Sequence, residues 1–186
     1  MAESKDNIVT KGLSGTIGRQ LTFRNKGGKT FVSKLLKPST ASPTPDAAAV
    51  RARFQSSAQY AAKAIKDPVT KALYKAAATG NQTAFNLALS DAFKAPVVSE
   101  IKTDNYHGAA GNTLTVVATD DFKVTGVVVS IHDAAGNLVE QGDAVIQQNE
   151  DWLYTTKQAN GSLAGSKITA VASDLPGNST SFTKTL

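Results

Sequence analysis

The side chains able to do chemistry are few and poorly placed for catalysis. The chain has two histidines, His107 and His132, and no cysteine. The missing thiols exclude a disulfide framework, a thiolate zinc site, an iron–sulfur cluster and a cysteine nucleophile. Neither histidine has a second at ligand spacing, and no Gly-x-Ser-x-Gly run sets a serine on a nucleophile elbow. Gly28-Lys29-Thr30 lacks the upstream glycines of a phosphate loop and leads into a strand pattern rather than a helix. Acids stand side by side at Asp120-Asp121 and Glu150-Asp151. Adjacent residues of a strand face opposite sides, so neither pair is a ready carboxylate dyad, and both read as solvated loop charges. The alternative is calcium: Asp120, Asp121 and Asp174 could gather at one end of a β-sandwich as hard oxygen ligands, although the alternating Asp/Asn calcium loop is absent. The Asn81, Asn160 and Asn178 sequons read as chance matches or turn chemistry. The expectation is a protein that is not an enzyme, with no catalytic, cofactor-binding or metal residues, no cofactor and no small-molecule substrate.

The more informative residues are cationic. Arg19, Arg24, Lys26, Lys29 and Lys34 interleave with Leu21, Phe23 and Phe31. That alternation suits a basic β-ribbon, which can contact a polyanion or another protein. The formal net charge of +5 conceals a division. Residues 1–40 carry +6, residues 41–95 carry +4 and residues 96–186 carry −5. Such asymmetry points to a polyanionic partner or to pairing between the basic and acidic halves of different copies. Asp120, Asp121, Glu150 and Asp151 are the candidate acidic counter-surface.

These residues need elements to hold them, and the pattern predicts an α+β chain of two modules. Residues 1–37 form an N-terminal arm and basic β-hairpin, with strands over 19–23 and 29–35 and glycines in the turn. Leu21, Phe23, Phe31 and Leu35 lie on its apolar faces. Residues 38–45, with three prolines, form an extended linker. Residues 46–95 form a domain of three helices. The first runs over 46–65 after the Thr44-Pro45 cap, with Val50, Phe54, Ala58, Ala61 and Ile65 as its inward stripe. The second follows Asp67-Pro68, with Val69, Leu73, Tyr74 and Ala77 inward. The third runs over 82–93, with Phe85, Ala88, Leu89, Ala92 and Phe93 on one face. Arg51, Arg53, Lys63, Lys66, Lys71 and Lys75 read as a solvated exterior.

Residues 96–186 change to alternating strands: 97–103, 113–119, 124–132, 138–148, 152–157, 167–173 and 179–186. Seven strands with turns every 8–12 residues predict a sandwich. Asp133-Ala-Ala-Gly-Asn137 and Asp174-Leu-Pro-Gly-Asn178 repeat one turn motif, and Trp152 is expected between the sheets.

The third segment resembles bacterial immunoglobulin-like domains in Tyr106-His-Gly108, in Gly111 to Phe122, in the strand to Asp133, and in Ala172-Ser-Asp174 with Gly177-Asn178. Residues 10–93 are similar to small Bacteroidota-type proteins that carry Gly12, Gly15 and Gly18, a basic hairpin, Pro38, Arg53-Phe54 and Ala84-Phe85-Asn86. The first resemblance implies a spacer, an adhesive module or a subunit of a surface or phage structure. The second implies no function. The expectation is a non-enzymatic structural subunit of a filament, sheath or virion-like assembly. It polymerises with itself through its N-terminal arm and hairpin and its charge-complementary halves. One alternative is nucleic-acid binding by the hairpin. The other is an adhesive or glycan-binding module using Tyr106 and Tyr154. No apolar run reaches the ~20 residues of a membrane span. The polar start carries no standard secretion signal. The expected location is therefore the cytoplasm, or a released or extracellular assembly.

Overall fold

The computed structural model describes residues 2–4, 7–35 and 42–186. Residues 38–41 of the linker lie outside the described residues. The fold is α+β: an N-terminal antiparallel sheet, three helices, then two four-stranded antiparallel sheets packed as a β domain. The chain divides into two compact units, residues 1–50 with 79–82, and residues 51–78 with 83–186.

In the first unit, the hairpin belongs to a larger sheet than its sequence suggests. Strands β1 (Ala2–Ser4), β2 (Gly15–Ile17), β3 (Leu21–Lys26) and β4 (Lys29–Lys34) pair in the order β1-β4-β3-β2. Gly27 and Gly28 make the β3–β4 turn with φ of 58° and 75°. A two-residue turn of this hand needs positive φ at both positions, which glycine adopts without strain. The register sets Phe23 opposite Val32 and Arg24 opposite Phe31. Because strand side chains alternate, Leu21, Phe23, Thr30 and Val32 share one face, and Arg24, Lys26, Lys29 and Phe31 share the other. The preceding loop is tied to the first face. Gly12 N donates to Thr30 Oγ1 (3.2 Å), Thr30 Oγ1 donates to Asn25 Oδ1 (2.8 Å), and Asn25 Nδ2 donates to Gly12 O (3.0 Å). Phe23 and Thr30 are buried, whereas Ile8, Val9, Ile17 and Leu21 are exposed.

The first two helices begin at the caps marked by Thr44-Pro45 and Asp67-Pro68, and the third begins after Thr83 rather than at the expected Gln82. In α1 (Pro45–Ala64), Thr44 Oγ1 accepts from Ala47 N (3.2 Å). In α2 (Pro68–Ala77), Asp67 Oδ2 accepts from Thr70 N (2.8 Å). In α3 (Ala84–Phe93), Thr83 Oγ1 accepts from Asn86 N (3.2 Å). Each side-chain oxygen takes up an N–H that the first helical turn leaves free. The division between units falls inside α1.

Ala61, Tyr74 and Ala88 point inward as expected, but the rest of the inward faces differ from the expected stripes. α1 buries Ser57, Ala61 and Ala64, while Phe54 is 53% exposed and Val50 is exposed as well. Ser57 Oγ donates to Ala92 O of α3 (3.0 Å). Small residues at 57, 61 and 64 suit a close approach that the bulkier stripe would block. On α2 only Tyr74 is buried, and Val69 and Leu73 face solvent.

The β domain pairs β5 (Val97–Lys102), β6 (Thr113–Thr119), β10 (Trp152–Thr155) and β9 (Val145–Ile146) in the order β5-β6-β10-β9. Its second sheet runs β12-β11-β7-β8, from β7 (Val124–His132), β8 (Leu138–Asp143), β11 (Lys167–Asp174) and β12 (Ser179–Thr185). The stretch 138–148, expected as one strand, divides between the two sheets. Ala144 is buried at the crossing, and its N–H donates to Val127 O (2.8 Å). Alternate residues of both sheets meet in one core that includes Leu114, Val116, Val129, Ile131, Ile168 and Trp152. Among the described residues no helix is long and apolar enough to cross a membrane.

Candidate functional site

Two regions of the chain hold the residues that could act. The first is the N-terminal sheet. Arg19 lies exposed in the β2–β3 turn at φ 55°, and Arg24, Lys26, Lys29 and Lys34 are all exposed. Lys29 Nζ lies 3.2 Å from Glu3 Oε1. Phe31 is half-buried, so the Arg24 face combines three cations with one partly accessible ring.

The second region is where the helices of the second unit meet the end of its β domain. Two loops form this joint. Phe122, just after β6, places its ring 4.5 Å from that of Tyr74. Its neighbour Asp121 accepts from Ser90 Oγ (2.8 Å) and from Lys94 Nζ (2.8 Å). These bonds hold the Asp121 carboxyl below the usual carboxylate range. Asn178, after β11, turns its Nδ2 toward the last carbonyls of α3, at 3.4 Å from Asp91 O, 3.5 Å from Ala92 O and 3.4 Å from Lys94 O.

Inside the joint three carboxylates converge. Asp91 comes from α3, Asp120 from the β6–β7 loop and Asp174 from the end of β11, with one oxygen of each within 4.8 Å of the others. Asp174 is satisfied by its own turn: Oδ1 accepts from Gly177 N (2.8 Å) and Asn178 N (2.6 Å), and Oδ2 from Asn178 Nδ2 (2.7 Å). Asp120 Oδ2 accepts from Phe122 N (3.2 Å) and Lys123 N (3.1 Å). Asp91 Oδ2 accepts from Tyr74 Oη (2.5 Å), and the Tyr74 and Tyr60 hydroxyls lie 3.1 Å apart. Asp91 Oδ1 and Asp120 Oδ1 are buried and take no hydrogen bond. Asp91 itself is wholly buried. Burial pushes its carboxyl up to about 7; the Tyr74 bond opposes this, and the Asp120 and Asp174 carboxylates add to it. Burial also raises the Tyr74 hydroxyl.

The four acids expected as a counter-surface have different surroundings. Asp120 turns partly inward to the cluster and also lines a cleft of about 330 Å³ with Lys123, Ile146, Glu150 and Trp152. Asp121 pairs with Lys94, and Asp151 lies 3.9 Å from Lys102. Glu150 remains exposed at φ 66°. The calcium reading grouped Asp121 with Asp120 and Asp174. In the structure Asp91 takes the third place, because Asp121 is drawn to Ser90 and Lys94. Asp91 was readable only as a charge within the inward spacing 84, 87, 88, 91 of α3. Tyr106 and Tyr154, expected as exposed glycan platforms, are instead buried in the β-domain core. Tyr154 Oη donates to Glu140 Oε2 (3.0 Å), and burial with this bond pushes the hydroxyl up to about 12.

Comparison with protein-family models and with curated proteins finds no match for this chain.

Proposed function

We propose that this protein is a non-enzymatic structural subunit that assembles with copies of itself. One observation carries the reading. Among the described residues the N-terminal sheet buries a single large apolar side chain, Phe23, while Ile8 is 90% exposed and Val9, Ile17 and Leu21 are exposed beside it. A small sheet of this kind gains stability by covering those side chains with a partner.

A second copy of the chain is the occupant that fits. β2 is an edge strand whose flank carries Ile17, Leu21 and Arg19. β9 is the edge of the β5-β6-β10-β9 sheet, with Val145 and Ile146 exposed and Glu150 following. Edge-to-edge addition of β2 to a neighbour's β9 unites apolar with apolar and Arg19 with Glu150. The overall charges agree, since residues 1–95 are basic and residues 96–186 acidic. The two surfaces differ, so the contact is heterologous and propagates into a polymer.

Charge reversal tests this mode. Arg19→Glu and Glu150→Lys should each reduce assembly in sedimentation velocity, and the double variant should restore it. Equal assembly by all three would contradict the pairing. A second reading, polyanion binding, is favoured by the grouping of Arg24, Lys26, Lys29 and Phe31 on one sheet face. It expects a salt-dependent shift of long DNA that Lys26→Glu weakens. The absence of any shift at low salt would remove it.

A further inference from the structure

Burying like charges together is costly unless something neutralises them. Among the described residues, the ion pairs are Lys29–Glu3, Lys94–Asp121 and Lys102–Asp151, and none reaches Asp91, Asp120 or Asp174. Backbone N–H groups of the two loops and the Asn178 side-chain amide satisfy both oxygens of Asp174 but only Oδ2 of Asp120. Within the cluster two buried carboxylate oxygens, Asp91 Oδ1 and Asp120 Oδ1, take no bond from any backbone, hydroxyl or amide donor; Glu140 Oε1 is likewise unpaired but stands away from the acids of the cluster. Buried acceptors are nearly always satisfied, so orphans at a convergence of acids point to a missing positive partner.

We infer that the Asp91–Asp120–Asp174 cluster binds a divalent cation of the calcium class. The donor set is all carboxylate oxygen, which suits hard cations such as calcium rather than zinc or copper. Asp91 Oδ1 and Asp120 Oδ1 are the free ligands, and an Asp174 oxygen can share its turn bonds with the ion. Asp120 is the one member of the cluster that also lines the cleft, which it shares with Lys123, Glu150 and Trp152. The ion would pin the helices of the second unit to its β domain, since its ligands come from α3 and from two loops of the β domain. It would stiffen the subunit without taking part in any reaction.

The experiment uses the full chain stripped with EDTA. Calcium chloride, at about a hundredfold excess over its dissociation constant, should raise the unfolding midpoint by about 5–10 °C. Terbium should give luminescence sensitised by Tyr74, whose hydroxyl bonds Asp91. Asp120→Asn should abolish both responses while far-ultraviolet circular dichroism shows the fold intact. Asp133→Asn and Asp121→Asn should leave both responses unchanged, because Asp133 lies in the other Asp-x-x-Gly-Asn turn and Asp121 binds Lys94. If calcium, magnesium and manganese at millimolar concentration all leave the midpoint unmoved and terbium stays dark in the wild type, the inference is overturned. A proton shared between Asp91 and Asp120 would then hold the cluster. A response that survives Asp120→Asn, or that vanishes in Asp133→Asn, would equally overturn the assignment.

Discussion

The N-terminal sheet and the β domain are built from the same antiparallel pairing and reach opposite outcomes. The β domain closes two sheets over a shared core in which Leu114, Val116, Val129, Ile131, Ile168 and Ala170 are wholly buried. The N-terminal sheet is of equal strand number, yet among its described residues only Phe23 and Thr30 are buried. Hydrogen bonds fix the shape of both, but burial of apolar area distinguishes a self-sufficient layer from one that leaves work for a partner. That difference is the physical basis for reading the N-terminal sheet as an assembly element and the β domain as its scaffold.

The contrast is sharpest in paired substitutions. Ile131→Ala in the β-domain core should cost about 2–5 kcal/mol in urea unfolding, the usual range for a truncated core aliphatic. Leu21→Ser should change monomer stability by no more than about 0.5 kcal/mol, yet lower assembly in sedimentation velocity. A large stability loss from Leu21→Ser would mean that the N-terminal sheet depends on that residue for its own fold, and the contrast would fail.

The joint between helices and β domain should be intermediate. Tyr74→Phe removes the donor to Asp91 Oδ2 and should cost about 1–3 kcal/mol, the penalty for stranding a buried acceptor. The two Asp-x-x-Gly-Asn turns offer an internal control. Asp133 and Asp174 both accept from the Asn four residues on, but Asp174 is buried and its Asn178 reaches α3. Asp174→Ala should therefore destabilise more than Asp133→Ala, and equal losses would show that the docking of Asn178 adds nothing.

Much of this organisation is legible in the chain. The strands Thr113–Thr119 and Val124–His132 follow from alternation, and the starts of the first two helices follow from Thr44 and Asp67. The face of α1 was legible only in part: Ala61 lies inward as its spacing predicts, but Val50 and Phe54 carry the stronger hydrophobic signal and stay exposed, while Ser57 and Ala64 are buried. Strands of three residues such as β1 and β2 exist only through their partners, so local sequence gives them no signature. The carboxylate cluster was half legible: Asp120 and Asp174 belong to loops at one end of the β domain, but Asp91 joins them from α3, a contact no local pattern encodes.

The smallest expected effect is electrostatic. Asp121 has its carboxyl lowered by the bonds from Lys94 and Ser90, so its contribution is present above the unfolded value near 4 and is lost as pH falls through the folded value. The pair is solvent-exposed, and screening limits the contribution to about 0.5 kcal/mol. Asp121→Asn should flatten the acid side of the stability profile by that amount without altering assembly at neutral pH.

The central claim is that the open N-terminal sheet of one copy pairs with the β domain of another. Sedimentation velocity with electron microscopy, on the full chain across a concentration and salt series, tests it most directly. The account predicts concentration-dependent polymers at low ionic strength that shorten as salt rises. A protein that stays strictly monomeric at high concentration and low salt would contradict it.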